Sequence, residues 1–136
     1  YRGKLEVASG LKISYVSQDA EQLCGMIDEF AIKEGVDPTL LKALLRKLDF
    51  SRVQFEKPIE SYSGGQKKKV LLAKSLCEQA HLYIWDEPLN FVDLYSRMQI
   101  EQLIREFSPT MLLVEHDRFF GEKIGARYVE IQCTQD

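Results

Sequence analysis

Apolar positions along the chain change period several times, and each change marks a predicted element. Leu5 to Val7 form an apolar stretch, Ser9-Gly10 supplies a turn, and Leu11, Ile13 and Tyr15 then alternate with polar neighbours. That pattern reads as a β-hairpin whose second arm runs into "YVSQD". Beyond it the period becomes helical. Met26, Ile27, Phe30 and Ala31 recur every three or four residues and stop at Gly35. Asp37-Pro38 restarts a helix, with Asp as N-cap and Pro in the first turn. Leu41, Leu44, Leu45 and Leu48 form its apolar stripe.

After "SYSGGQ", Val70, Ala73, Leu76, Cys77 and Ala80 line one face of a further helix. "HLYIWDEP" is a short apolar run ending in acids and a proline, which predicts a buried strand with carboxylates at its tip. Leu94 to Phe107 returns to helical spacing, with Ile100, Leu103, Ile104 and Phe107 on one side. "TMLLVEHD" repeats the strand-then-polar design, and "RYVEIQC" alternates as a last strand would. Helices alternating with buried strands predict an α/β fold with a mostly parallel sheet. The α/β body is assigned to 1–20 and 61–136, and a helical subdomain to 21–60.

Composition narrows the class. The 136 residues suit one modest domain, 45% hydrophobic and 29% charged. A net charge of −3 gives no general attraction to nucleic acid. No apolar run approaches the roughly 20 residues of a membrane helix, so direct membrane insertion is not expected. Cys24, Cys77 and Cys133 lack metal-ligand spacing and are expected to be free thiols without disulfide partners, Cys77 as packing.

Chemistry concentrates at two kinds of place. "SGGQ" stands directly before a helix, where unpaired N–H groups and the positive end of the macrodipole meet. Glycines there let an anion approach the main chain, so the stretch reads as a phosphate-contact site. Lys67, Lys68 and Lys69 follow; consecutive helical residues diverge, and the expectation is a solvated face. The second kind is the carboxyl end of the parallel strands, where ligands bind in such sheets. Gln18 follows one strand, Asp86 and Glu87 another, and Glu115, His116 and Asp117 a third. Phosphoryl transfer needs Mg²⁺ to neutralise charge and a group to orient water, and adjacent carboxylates can divide those roles. His116 can donate to a developing phosphate charge; His81 is assigned no role.

The order "YVSQD", helical insert, "SYSGGQ", "LYIWDEP", "LNFVD", "EHD" resembles the nucleotide-binding domain of ATP-binding cassette (ABC) proteins, a P-loop NTPase fold, from about Lys12 to about Asp117. The resemblance implies ATP and Mg²⁺ as cofactors. It implies that Gln18 contacts Mg²⁺ or the lytic water, Asp86 supports Mg²⁺, Glu87 polarises water and His116 contacts the γ-phosphate. Ser63, Gly64, Gly65 and Gln66 would meet the γ-phosphate of a nucleotide on an opposite cassette, with Asp93 in the D-loop. The family's Walker A pattern, G-x-x-x-x-G-K-[ST], does not occur, so the chain is expected to be a partial cassette and inactive alone.

"DEPLNFVD" keeps Asn90 and Asp93 of the ABC-F pattern "DEPTNHLD" but carries Leu89 and Phe91 in place of Thr and His. The stretch from "SGGQKKKV" to "NFVD" resembles the second cassette of antibiotic-resistance ABC-F proteins. That resemblance implies an ATPase with two cassettes in one polypeptide, cytoplasmic, acting on the ribosome in ribosome protection. The alternatives are the ATPase subunit of a membrane ABC transporter, or a non-catalytic module presenting the signature to a partner cassette.

Overall fold

A computed structural model describes residues 9–17, 23–90, 92–115, 118–127 and 129. Three parallel strands, β1 (Ile13–Val16), β2 (Leu82–Asp86) and β3 (Met111–Val114), lie in the order β1-β2-β3. The α/β class and parallel sheet expected from the sequence are therefore present. Helices α1 (Ile27–Glu34), α2 (Pro38–Lys47) and α3 (Arg52–Phe55), then a 3₁₀ turn (Ile59–Ser61), stand between β1 and α4 (Gly64–Cys77). Helix α5 (Leu94–Phe107) joins β2 to β3, and α6 (Arg118–Lys123) follows.

Local chemistry explains the helix ends. Gly35 closes α1 at φ 72°, a left-handed cap that glycine adopts without a Cβ penalty. The Asp37 side chain accepts from the Thr39 N–H at 2.9 Å, with Pro38 at N1, as the sequence predicts for α2. The start and end of the helical segment are stapled together. Ile59 N–H donates to the Gly25 carbonyl at 2.9 Å, and Gly25 N–H donates to the Glu60 carboxylate at 3.0 Å. Beside that closure, Phe50 meets Tyr62 edge-on at 5.6 Å. The Tyr62 hydroxyl donates to the Gln54 carbonyl at 2.6 Å. Tyr62 directly precedes Ser63, so these contacts fix where α4 begins.

One face of the sheet packs against α4. Val16, Tyr83 and Trp85 are buried there, aligned across the strands by the pairs Ser14–Tyr83 and Val16–Trp85. Each such apolar side chain contributes roughly 1.5–3 kcal/mol when fully buried. The layer also holds a polar chain. Trp85 Nε1 donates to Ser75 Oγ at 2.9 Å, and Ser75 Oγ lies 2.6 Å from Ser14 Oγ, with both serines fully enclosed. Three secondary elements thus share one hydrogen-bonded register mark.

The other face differs from the sequence expectation. Leu11, Ile13 and Tyr15 read as the apolar arm of a hairpin, yet Ile13 is 38% and Tyr15 59% exposed, while Ser14 and Val16 point inward. Leu112 and Val114 of β3 share that open face, at 57% and 49%. Alternation fixed the two faces but not which one α4 covers. The first arm of the hairpin lies outside the described residues. Phe107 is 40% exposed at the last residue of α5, and Ala80 falls after α4 has ended. The "RYVEIQC" strand lies almost entirely outside the described residues. Cys77 is buried as expected and its thiol is pushed up to about 11, chiefly by burial; Cys24 is exposed, and both are free.

Ser75→Ala strands the Trp85 N–H and the Ser14 hydroxyl in the core. It should cost about 1–3 kcal/mol, read as a lower urea midpoint with an unchanged slope. Combined with Trp85→Phe the loss should be less than the sum of the single losses; strict additivity would contradict a shared network.

Candidate phosphate cleft and carboxylate tip

Helix α4 opens on a reciprocal cap. Ser63 Oγ accepts from the Gln66 N–H at 3.2 Å, and Gln66 Oε1 accepts from the Ser63 N–H at 3.0 Å. This capping box contributes about 1 kcal/mol through the serine. It also sets polarity. Ser63 accepts through a lone pair and keeps its hydroxyl hydrogen; Gln66 accepts through its oxygen and keeps its NH₂. Both side chains therefore retain donors. The N–H groups of Gly64 and Gly65 are among the first four of the helix and have no intrahelical acceptor.

Neither glycine adopts a positive φ. Their freedom to adopt a left-handed conformation is unused at this helix start. The gain is space: without a Cβ, an anion can reach the main chain. These residues line a cleft of about 470 Å³ with Lys69, Val92, Asp93 and Ser96. The second wall is the start of α5. Asp93 caps it, accepting from the Ser96 N–H at 2.8 Å and the Ser96 hydroxyl at 3.1 Å. The Ser96 N–H lowers the Asp93 carboxyl below the usual aspartate range. Slight desolvation opposes this, and the Ser96 hydroxyl and the Lys69 charge add to it.

The lysines correct the sequence reading. Lys68 is 1% exposed and Lys69 half-buried. Lys68 Nζ reaches the Ser17 carbonyl at 3.4 Å, at the end of β1. Lys69 Nζ donates to the Leu48 carbonyl at 2.9 Å, the C-cap of α2. Runs of like charge usually stay solvated; here the helix lies between β1 and the helical segment, and the long stems carry the ammonium groups to backbone acceptors.

Asp86 and Glu87 form a separate group. Alternation puts Asp86 on the open face with Ile84, opposite Val114. Glu87 takes φ 47°, a left-handed conformation costing about 1–2 kcal/mol in a non-glycine residue. Its N–H donates to the Val114 carbonyl at 2.7 Å, and its carboxylate accepts from Asn90 Nδ2 at 2.9 Å. Glu115 lies beside them, its carboxylate accepting from the Leu89 N–H at 3.4 Å. The turn re-aims consecutive acids in different directions. Among the described residues no group of three or more His, Cys, Asp or Glu is placed to hold a metal. One or two carboxylates at a strand tip suit Mg²⁺ that arrives with phosphates and keeps several waters.

The structure thus brings Ser63, Gly64, Gly65, Gln66 and Asp93 to one cleft, and Asp86 with Glu87 to a strand tip that does not line it. Gln18 and His116 lie outside the described residues. His81, given no role by the sequence reading, supports the sheet edge, where its Nδ1 accepts the Lys12 N–H at 2.9 Å beside the start of β2. Sequence reasoning missed Ser96 and the placement of Lys69, while Glu115 stands at the strand end where the sequence put it. Of those missed, only Ser96 had a readable signal, the Asp-x-x-Ser spacing of an N-cap.

Parallel strands ending in acids, beside a glycine-opened helix start, define a phosphate-handling α/β protein. The chain belongs to the ABC transporter family, whose profile matches residues 4–90. Over 137 residues it is 31% identical to the ATP-binding protein YdiF of Bacillus subtilis, spanning 98% of this chain and 21% of that protein. It is 41% identical over 80 residues to the ribosome protection protein VmlR of Bacillus subtilis, 59% of this chain and 15% of that protein. In structure it is similar to the archaeal ribosome recycling factor aABCE1, solved with ribosomal stalk protein aP1. The TM-score is 0.72 at 25% identity, over 90% of this chain and 25% of that one. It is an ATP-binding-cassette domain related to ABC-F and ABCE-type ATPases. The chain spans about a fifth of the length of the curated relatives it matches. Among the described residues no helix is long and apolar enough to cross a membrane.

Because its carboxyl sits below the usual range, Asp93 contributes stability that is complete above about pH 4 and lost as pH falls through its lowered value. The difference in urea midpoint between the wild type and Asp93→Asn should therefore shrink between pH 6 and pH 2. A difference that stays constant would remove the carboxylate from the cap.

Proposed function

We propose that this chain is the signature-bearing part of an ABC-F cassette and completes a composite ATP site with a second cassette. The observation that carries the reading is the cleft joining Ser63–Gln66 to Asp93 while excluding Asp86 and Glu87. A single-site enzyme would converge these groups on one phosphate. Two separated groups suit two nucleotides at a face between domains. At the cleft, Ser63, Gln66 and the glycine amides receive the γ-phosphate of the partner's ATP, and Asp93 holds the facing wall. At the tip, Asp86 would hold Mg²⁺ and Glu87 would polarise water, with Gln18 and His116, which lie outside the described residues, assigned to the same chemistry; Mg²⁺ would supply charge neutralisation when bound. The phosphate-wrapping loop comes from outside these residues, because no G-x-x-x-x-G-K-[ST] occurs among them.

In this reading residues 21–60 are the helical subdomain, and 1–20 with 61–136 the α/β body. The parent is a cytoplasmic ATPase acting on the ribosome, in ribosome protection and antibiotic resistance. Similarity to VmlR and to aABCE1 supports that partner class.

The test is ATP turnover of the chain mixed with a cassette from the same parent that carries the G-x-x-x-x-G-K-[ST] loop. The chain alone should show negligible turnover, and the mixture should exceed either component. Gly65→Asp should abolish the gain: a carboxylate suits the first helical turn, so folding is kept, but it repels phosphate. Turnover on the order of 1 s⁻¹ from the chain alone, or undiminished stimulation by Gly65→Asp, would contradict the reading.

A further inference from the structure

Lys69 carries its charge where the fold partly excludes water: it stands in the second turn of α4, half-buried. Burial pushes its ammonium below the usual lysine range, against the pull of Asp93 and then Asp49. A methionine or leucine of similar length would avoid that penalty. What the side chain gains is a link among three elements. It donates to Leu48 at the C-terminus of α2, where the chain turns through Asp49 at φ 70°; its charge is attracted by Asp93 at the cap of α5; and it lines the phosphate cleft at the start of α4.

We propose that Lys69 is a positioning residue that relays occupancy of the cleft to the end of α2. With the cleft empty of anion, its ammonium ties the α2 terminus to α4. A phosphate at the helix start offers that ammonium a charged acceptor. Charge-assisted bonds are about twice as strong as those between neutral groups, so phosphate competes with the neutral Leu48 carbonyl. The ammonium turns toward the cleft and the last turn of α2 loosens. This rests on the reading of the cleft as a phosphate site.

Amide hydrogen exchange on the whole chain tests the relay, with tripolyphosphate as probe and sodium chloride at matched ionic strength as control. In the wild type, the probe should shift the Gly64 and Gly65 amide resonances. It should also speed exchange at Asp49 and Phe50, whose amides close the end of α2 on Arg46 and Leu45. The rise should approach tenfold, the scale of one charge-assisted hydrogen bond. Lys69→Met should exchange fast there without probe and respond no further, while Lys69→Arg should restore the response. The Asp93 carboxyl, followed by its carbon resonance, should titrate higher in Lys69→Met and return in Lys69→Arg, a readout that lost packing alone would not move. If Gly64 and Gly65 shift while the end of α2 stays protected, the relay is overturned and the cleft stands. If nothing shifts at Gly64 and Gly65, the cleft reading fails and takes the relay with it.

Discussion

The reciprocal cap between Ser63 and Gln66 is the constraint on which the site depends. A helix that begins without a cap frays, and its leading amides turn to water. Here the cap fixes the first turn of α4 while consuming only acceptor capacity, so donors stay available. Everything upstream serves to place that cap. The Phe50–Tyr62 contact and the Gly25–Glu60 staple hold the segment entering it. The Trp85–Ser75–Ser14 chain holds the helix against the sheet one layer below. The same sheet carries Asp86 and Glu87, so the cleft and the tip share one rigid support.

Locally unfavourable choices gather at this margin. Glycines open a helix, Lys69 holds a half-buried charge, and Glu87 adopts a left-handed conformation. Each costs stability, and none improves the core. Sequences break local rules where function requires it and compensate elsewhere. The compensation is visible in the enclosed leucines of α2 and in Trp85, Val70 and Leu72, which form one continuous core. In the proposed composite site these costs fall on the residues assigned to phosphate.

Much of this was legible in the sequence. Periodicity located the helices, because Leu41, Leu44, Leu45 and Leu48 sit at 3.6-residue spacing and are enclosed as that spacing requires. Asp37-Pro38 and "SGGQ" announced helix starts through cap chemistry that is local by nature. Less readable were facts set by tertiary contacts. Alternation in β1 cannot say which face meets α4; Ser14 faces inward, where it pairs with Ser75, and Tyr15 faces out. "KKK" could not reveal that Lys68 and Lys69 reach backbone carbonyls far away in sequence. Nor does Glu87 announce its positive φ, which accompanies a hydrogen bond from its N–H to Val114 on the neighbouring strand.

The central claim is that nucleotide is held firmly at the signature only when a second cassette presents it. Paramagnetic broadening by Mn²⁺-ATP tests it most directly, followed at the Gly64 and Gly65 amides with and without the partner. The account predicts strong broadening at both amides when the partner is present and far weaker broadening when it is absent, where a phosphate chain meets the helix start without a cassette to hold it. Equal broadening from Mn²⁺-ATP and the chain alone would show that one copy grips its own nucleotide, and would contradict the composite site.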